Sequence, residues 1–169
     1  MFDFAPPAAG DADPAARAAL YRELVGAALA LTEGEADPVA NMANLAALVW
    51  QYVPRLNWAG FYRVVEGEGG GELVLGPFIG KPACIRIPFG QGVCGTAAAR
   101  AATQLVRDVH AFPGHIACDA ASVSELVVPV IRGGQVIAVI DLDSPEPARF
   151  DAVDAAGIES LAAAIAPRI

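Results

Sequence analysis

The chain has 169 residues, 55% of them apolar and 18% charged, with a formal net charge of −8. That describes one domain of ordinary size, with enough apolar side chains to form a core without disulfide staples, and excludes a disordered chain. The acidic balance makes a poor partner for nucleic acid or an anionic membrane surface, and the longest apolar run, 39–54, is broken by Asn41, Asn44 and Gln51, so no bilayer span is predicted. Residues 1–14, rich in Ala, Gly, Pro and Asp, read as a flexible N-terminal arm, and 15–169 as a single domain. Helical spacing of Leu20, Leu24, Ala27, Ala28 and Leu31 predicts a helix over 15–31. A second helix is expected to start near Asp37, with Pro38 at its first position, and to end before Pro54.

At Asn57 the period changes from helical to alternating. Residues 58–65 and 73–79 read as strands, joined by a flexible glycine-rich loop over 66–71. Those glycines lack the Lys-Ser/Thr and the following helix of a phosphate cradle. A short strand over 84–88 precedes Gly90-Gln-Gly92, which leads into a helix expected over 96–102, and 104–109 reads as another short strand. The runs 125–131 and 135–143 read as strands of a hairpin turning at 132–135, and a last helix is expected from about 150 to 166. About six strands, mostly hairpin-linked, with helices at both ends and one in the middle, give an α+β domain: a central antiparallel sheet with helices packed on it.

Chemistry concentrates between His110 and Glu125, where Cys118 lies beside both histidines of the chain and a Pro-Gly turn. Cys118 is the candidate nucleophile. The odd count of three cysteines, with no basic segment followed by an apolar one at the start of the chain, predicts reduced thiols and a cytoplasmic location. Cys84, Cys94 and Cys118 admit three readings: a zinc site completed by His110 or His115, three packed small hydrophobes, or a redox relay in which one thiol resolves another's oxidation. Their placement beside Gly and Pro favours the relay, and no metal is expected. Asp141 and Asp143, two apart on a strand, share a face, and hairpin arithmetic sets Glu125 opposite 141–143. Three acids that converge cannot all stay charged, so one should keep its proton near neutrality. Trp58 and Tyr62 share one face of their strand and can wall a pocket, and Phe61 points to the core.

Taken in order, Asn57-Trp-Ala-Gly-Phe-Tyr62, Leu75-Gly-Pro-Phe78, 81–88, Gly90-Gln-Gly-Val-Cys-Gly95, 108–119, Ser124-Glu125 and Asp141-Leu-Asp-Ser144 resemble the free methionine-(R)-sulfoxide reductases, single-domain enzymes of the GAF fold. The resemblance runs from about Trp50 to the C-terminus. It implies thiol-dependent reduction of free methionine-(R)-sulfoxide, with Cys118 attacking the sulfoxide sulfur and becoming a sulfenic acid. By the same resemblance Cys84 is the principal resolving cysteine and Cys94 an auxiliary one. Glu125, Asp141 and Asp143 hold the substrate's ammonium and sulfoxide oxygen, and Trp58 and Tyr62 form an aromatic wall. It further implies no bound cofactor, reducing equivalents from thioredoxin and a homodimer. The other function this fold admits is a small-molecule sensor that binds without turnover.

Overall fold

A computed structural model describes residues 13–67, 70–114 and 120–169. Helix α1 (Pro14–Leu31) and helix α2 (Pro38–Tyr52) start by one device. The Asp13 carboxylate accepts from the backbone N–H groups of Ala15 and Ala16 at 2.7 and 3.0 Å, and Asp37 does the same for Val39 and Ala40. Each cap is followed by a proline at the first helical position, where a missing N–H costs nothing. The expected arm therefore ends at Asp13, and the rest of it, residues 1–12, lies outside the described residues.

Strands β1 (Trp58–Gly67), β2 (Gly70–Gly80), β3 (Arg86–Pro88), β4 (Gln104–Val106), β5 (Ser124–Arg132) and β6 (Gln135–Ser144) form one sheet in the order β3-β2-β1-β6-β5-β4. Every neighbouring pair is antiparallel. Helix α3 (Gly92–Arg100) lies between β3 and β4 in the chain, and helix α4 (Ala152–Ile165) closes the fold. The alternation along the strands sorts the core into two clusters. Ala59, Phe61, Leu126, Val128, Ile140 and Leu142 face α1, α2 and α4. Trp58, Tyr62, Val127 and Val139 face the other way, with Val93, Cys94, Ala97 and Ala98 of α3.

Four local expectations are corrected. The loop predicted over 66–71 is shorter, because Glu66 pairs with Gly71 and Gly67 with Gly70, which leaves only residues 68 and 69, outside the described set. Glycines still carry ladder donors and acceptors, and the Phe89 ring lies over Gly71 where a Cβ would come within 2.7 Å. Helix α3 begins at Gly92 instead of Thr96, so Cys94 sits in its first turn. Gly95 is required there because a Cβ would stand 2.3 Å from the Pro88 carbonyl oxygen. Of the strand expected over 84–88, only Arg86–Pro88 pairs in full, with the Ile85 carbonyl accepting from Leu75 N–H at 2.9 Å. The strand expected over 104–109 stops at Val106, since the Asp108 carboxylate accepts from His110 N–H at 2.9 Å and starts a 3-10 turn, Val109–Ala111.

Helices α1 and α4 touch at Gly157, where a Cβ would fall 2.1 Å from Cγ of Tyr21. The Tyr21 hydroxyl donates to buried Asp154 at 2.7 Å, so its ring cannot swing aside without breaking that bond. In most helices Gly→Ala stabilises by about 1 kcal/mol. Here the sign inverts, and Gly157→Ala is expected to destabilise the chain by about 1–3 kcal/mol in urea denaturation. A stabilised variant would show that the two helices part freely.

Candidate active site

The site is a consequence of register. Across three adjacent strands, Trp58 of β1 lies beside Asp143 of β6, which lies beside Glu125 of β5. One step along the same face, Gly60, Asp141 and Val127 form the next row. Sequence alternation and hairpin counting thus place Glu125 where they predicted, opposite Asp143. Trp58 and Tyr62 share this face as expected, their ring centroids 5.9 Å apart at 22°. Phe61 turns to the helical layer. The row needs a glycine at position 60, where a Cβ would meet the Trp58 ring at 2.8 Å and Phe78 Cβ at 2.3 Å.

Trp58, Tyr62, Lys81, Pro82, Ala83, Asp141 and Asp143 line a narrow cleft with an enclosed volume of about 10 Å³, the room of roughly one water. Its aromatic wall is fixed at both polar tips. Indole Nε1 of Trp58 donates to the Lys81 carbonyl at 3.1 Å, and the Tyr62 hydroxyl donates to the Cys84 carbonyl at 3.0 Å. Phe78 stacks behind Trp58 with centroids 5.2 Å apart at 12°. Residues 81–84 therefore arch over the aromatic wall, held by the groups that form it. The sequence reading missed Phe78 and 81–83 as wall residues, and the Leu75-Gly-Pro-Phe78 and 81–88 motifs were the signals that could have found them.

Behind the pocket, Cys94 reaches down from α3 to the carboxyl row, with Sγ 3.9 Å from Oε1 of Glu125. Cys94, Glu125 and Asp141 are buried, at 4%, 6% and 6% exposure. Burial first, and then the charges of Asp141 and Asp143, push the Glu125 carboxyl well above the ordinary range. Burial pushes Asp141 up to about 7, against hydrogen bonds with Cys94 and Glu125 that lower it. The Cys94 thiol is raised well above its usual value by burial and then by Asp141 and Glu125. The shifts favour a proton held within the Glu125–Asp141 carboxyl pair, and they favour Cys94 as a thiol over a thiolate. This site can bind a small cationic head, pack an apolar or sulfur-bearing chain against aromatic faces, and supply a proton.

Cys118 and His115 lie outside the described residues, as does 115–119 as a whole. The flanks of this segment are well tied. Val109 N–H donates to the Val123 carbonyl and Val123 N–H to the Ser144 carbonyl, both at 2.8 Å. The Asn57 side-chain amide donates to Ser122 Oγ at 3.0 Å, which ties the chain just after the segment to the start of β1. Val109 and Phe112 pack into the cluster on the pocket side of the sheet. His110 is exposed and is the middle residue of the 3-10 turn. No described helix is long and apolar enough to cross a membrane.

Residues 39–169 match the GAF domain family. The chain is 50% identical over 134 residues to the free methionine-R-sulfoxide reductase of Escherichia coli, covering 79% of each chain. It is 47% identical over 137 residues to the protein of that name from Saccharomyces cerevisiae, covering 78% of this chain and 76% of the yeast one. The solved structure of free methionine-R-sulfoxide reductase from Neisseria meningitidis in complex with its substrate superposes with a TM-score of 0.89 at 43% identity, covering 99% of this chain and 95% of that one.

Proposed function

This chain belongs to the GAF-domain family and, within it, to the free methionine-R-sulfoxide reductases, and on that premise we propose that it reduces free methionine-(R)-sulfoxide to methionine through Cys118. The observation that carries the reading is the convergence of Trp58, Tyr62, Asp141 and Asp143 on one small cleft, with Glu125 beside Asp143 on the same face of three adjacent strands. The carboxylates of Asp141 and Asp143 receive the ammonium group, and the indole and phenol faces receive the side chain with its sulfur. Free substrate, as opposed to a residue within a protein, follows from an ammonium held by acids on the pocket wall.

Sulfoxide oxygen leaves poorly until it is protonated, so a neutral carboxyl beside the attacking sulfur is useful. The Cys118 thiolate attacks the sulfoxide sulfur as Glu125 protonates its oxygen; the hydroxyl then passes from that sulfur to Cys118 as the transient sulfur–sulfur bond breaks, which releases methionine and leaves Cys118 as a sulfenic acid. The Cys84 thiol then attacks that sulfur, water leaves and a disulfide closes. An external dithiol of the thioredoxin type returns two electrons and restores both thiols. Cys94, protonated and packed against Glu125, serves as the auxiliary thiol. No bound cofactor takes part. The reducing cytoplasm suits this cycle, and the assembly is a homodimer.

The test is NADPH oxidation coupled through thioredoxin reductase and thioredoxin, offering free methionine R-sulfoxide, the S epimer and a peptide-bound sulfoxide in parallel. Turnover of the free R form alone is expected. Absence of turnover with all three, in protein whose thiols are reduced, would overturn the reading in favour of a sensor. Cys84→Ser is expected to release about one equivalent of methionine in a burst and then stop in the thioredoxin-coupled assay. Sustained cycling in that variant would remove Cys84 from the resolving role.

A further inference from the structure

Cys94, Glu125 and Asp141 come from α3, β5 and β6, and the sulfur and one oxygen of each carboxyl all lie within 4.8 Å of one another. A second observation points the same way. Oδ1 of Asp141, on a side chain 6% exposed, has no hydrogen-bond partner among the described residues. A buried carboxyl oxygen left in that state is unfavourable and marks a place for a cation. The reductive cycle needs a proton donor and an acceptor for the ammonium group. Beyond its auxiliary role in that cycle, Cys94 brings a sulfur to the same point as two carboxyl oxygens.

One sulfur and two carboxyl oxygens suit a zinc-class ion. Magnesium and calcium prefer shells of oxygen alone. Tetrahedral zinc with these ligands sets its donor atoms about 3.5 Å apart, so the cluster has to contract by roughly 1 Å. We propose that Cys94, Glu125 and Asp141 form a reversible inhibitory site for zinc(II), with water as the fourth ligand; the ion binds the thiolate and the two carboxylates and releases to solvent the protons held by Cys94 and the carboxyl pair. Bound there, behind the pocket, the ion takes up Asp141, which lines the pocket wall, and so competes with the ammonium of free methionine sulfoxide. That competition rests on the reductase reading, whereas the binding itself does not.

Binding is tested in the full chain carrying Cys84→Ser and Cys118→Ser, where Cys94 is the remaining thiol, reduced and titrated with Co²⁺ as a spectroscopic stand-in for Zn²⁺. A sulfur-to-cobalt charge-transfer band that saturates at one equivalent and is bleached by Zn²⁺ is expected. Adding Cys94→Ser should abolish the band, and adding Asp141→Asn or Glu125→Gln should weaken binding at least about tenfold. Two carboxamide variants are used so that one unfolded by circular dichroism leaves the other to decide. A folded background that gives no band overturns the site, as do carboxamide variants whose affinity stays within about twofold. In the unsubstituted chain, zinc should raise the apparent KM for free methionine-(R)-sulfoxide at constant kcat, with reversal by EDTA. Equal inhibition of the single Cys94→Ser variant would assign the effect to other thiols and overturn it. A chain without reductase activity fails the function proposed above, and the cobalt titration still decides the metal site.

Discussion

Replacing Cys118 by serine is expected to lower turnover of free methionine-(R)-sulfoxide by at least about a thousandfold while leaving the fold intact. Serine keeps the size and the hydrogen-bonding capacity but not the sulfur, and a hydroxyl cannot take the oxygen of a sulfoxide by the same two-electron route. The variant should still bind substrate, because the groups assigned to binding sit on β1 and β6, and the described flanks of residues 115–119 are held by backbone bonds at Val109 and Val123 and by Asn57 on Ser122. Calorimetry with the free R-sulfoxide checks binding, and the thioredoxin-coupled assay checks rate. Activity above a few per cent of the parent chain would transfer the nucleophile to Cys84 or Cys94. Of these, Cys94 is disfavoured by its own surroundings, since burial and two neighbouring carboxyls keep it protonated.

The second large effect belongs to the carboxyl row. Glu125→Gln is expected to cut kcat by about 10²–10⁴-fold, the usual contribution of a positioned general acid. The same logic gives a pH dependence. Asp141 is pushed up to about 7, and its ionisation places a second full charge beside Glu125 and weakens the proton supply to the departing oxygen. At saturating substrate kcat should therefore fall as pH rises through neutrality, and a Glu125→Gln variant whose kcat and its pH profile match the parent's would exclude Glu125 as the donor. Stability should follow the same direction. A carboxyl whose folded pKa is raised binds more protons folded than unfolded, so its contribution is present at low pH and lost as pH rises from the unfolded value to about 7. Asp141→Asn should then melt above the parent chain at alkaline pH and lose that advantage in acid, as seen by thermal unfolding at several pH values. The site is held together against its own repulsion, and relieving it trades function for stability.

The long elements were legible because each carries its own boundary signals. Asp37-Pro38 marks a helix start by side-chain capping, Asp13-Pro14 does the same although composition assigns it to the arm, and the alternation in 125–143 sets both the hairpin and the face of its acids. The pairing of Glu125 with Asp143 needs only the turn and the period of two, and both are local. The short elements were not legible, since what decides them is distant. Gly95 can stay in a helix because Pro88 leaves no room for a side chain, and Cys94 meets Glu125 only because α3 docks across the sheet. The arch of 81–84 over the aromatic wall depends on the indole and phenol tips of β1, which are about twenty residues away in the chain. Such contacts are made by packing, and no periodicity announces them.

The row Trp58–Asp143–Glu125 also bears on how such a site can be altered over generations. Its members are set on three strands by one shared pleat. An exchange of any single side chain changes one group, but an inserted or deleted residue within β6 turns Asp141 and Asp143 together to the helical layer and brings Ile140 and Leu142 into the pocket. Insertions in this chain should accumulate at strand ends and in connections, and length within β1, β5 and β6 should be kept even where individual residues drift.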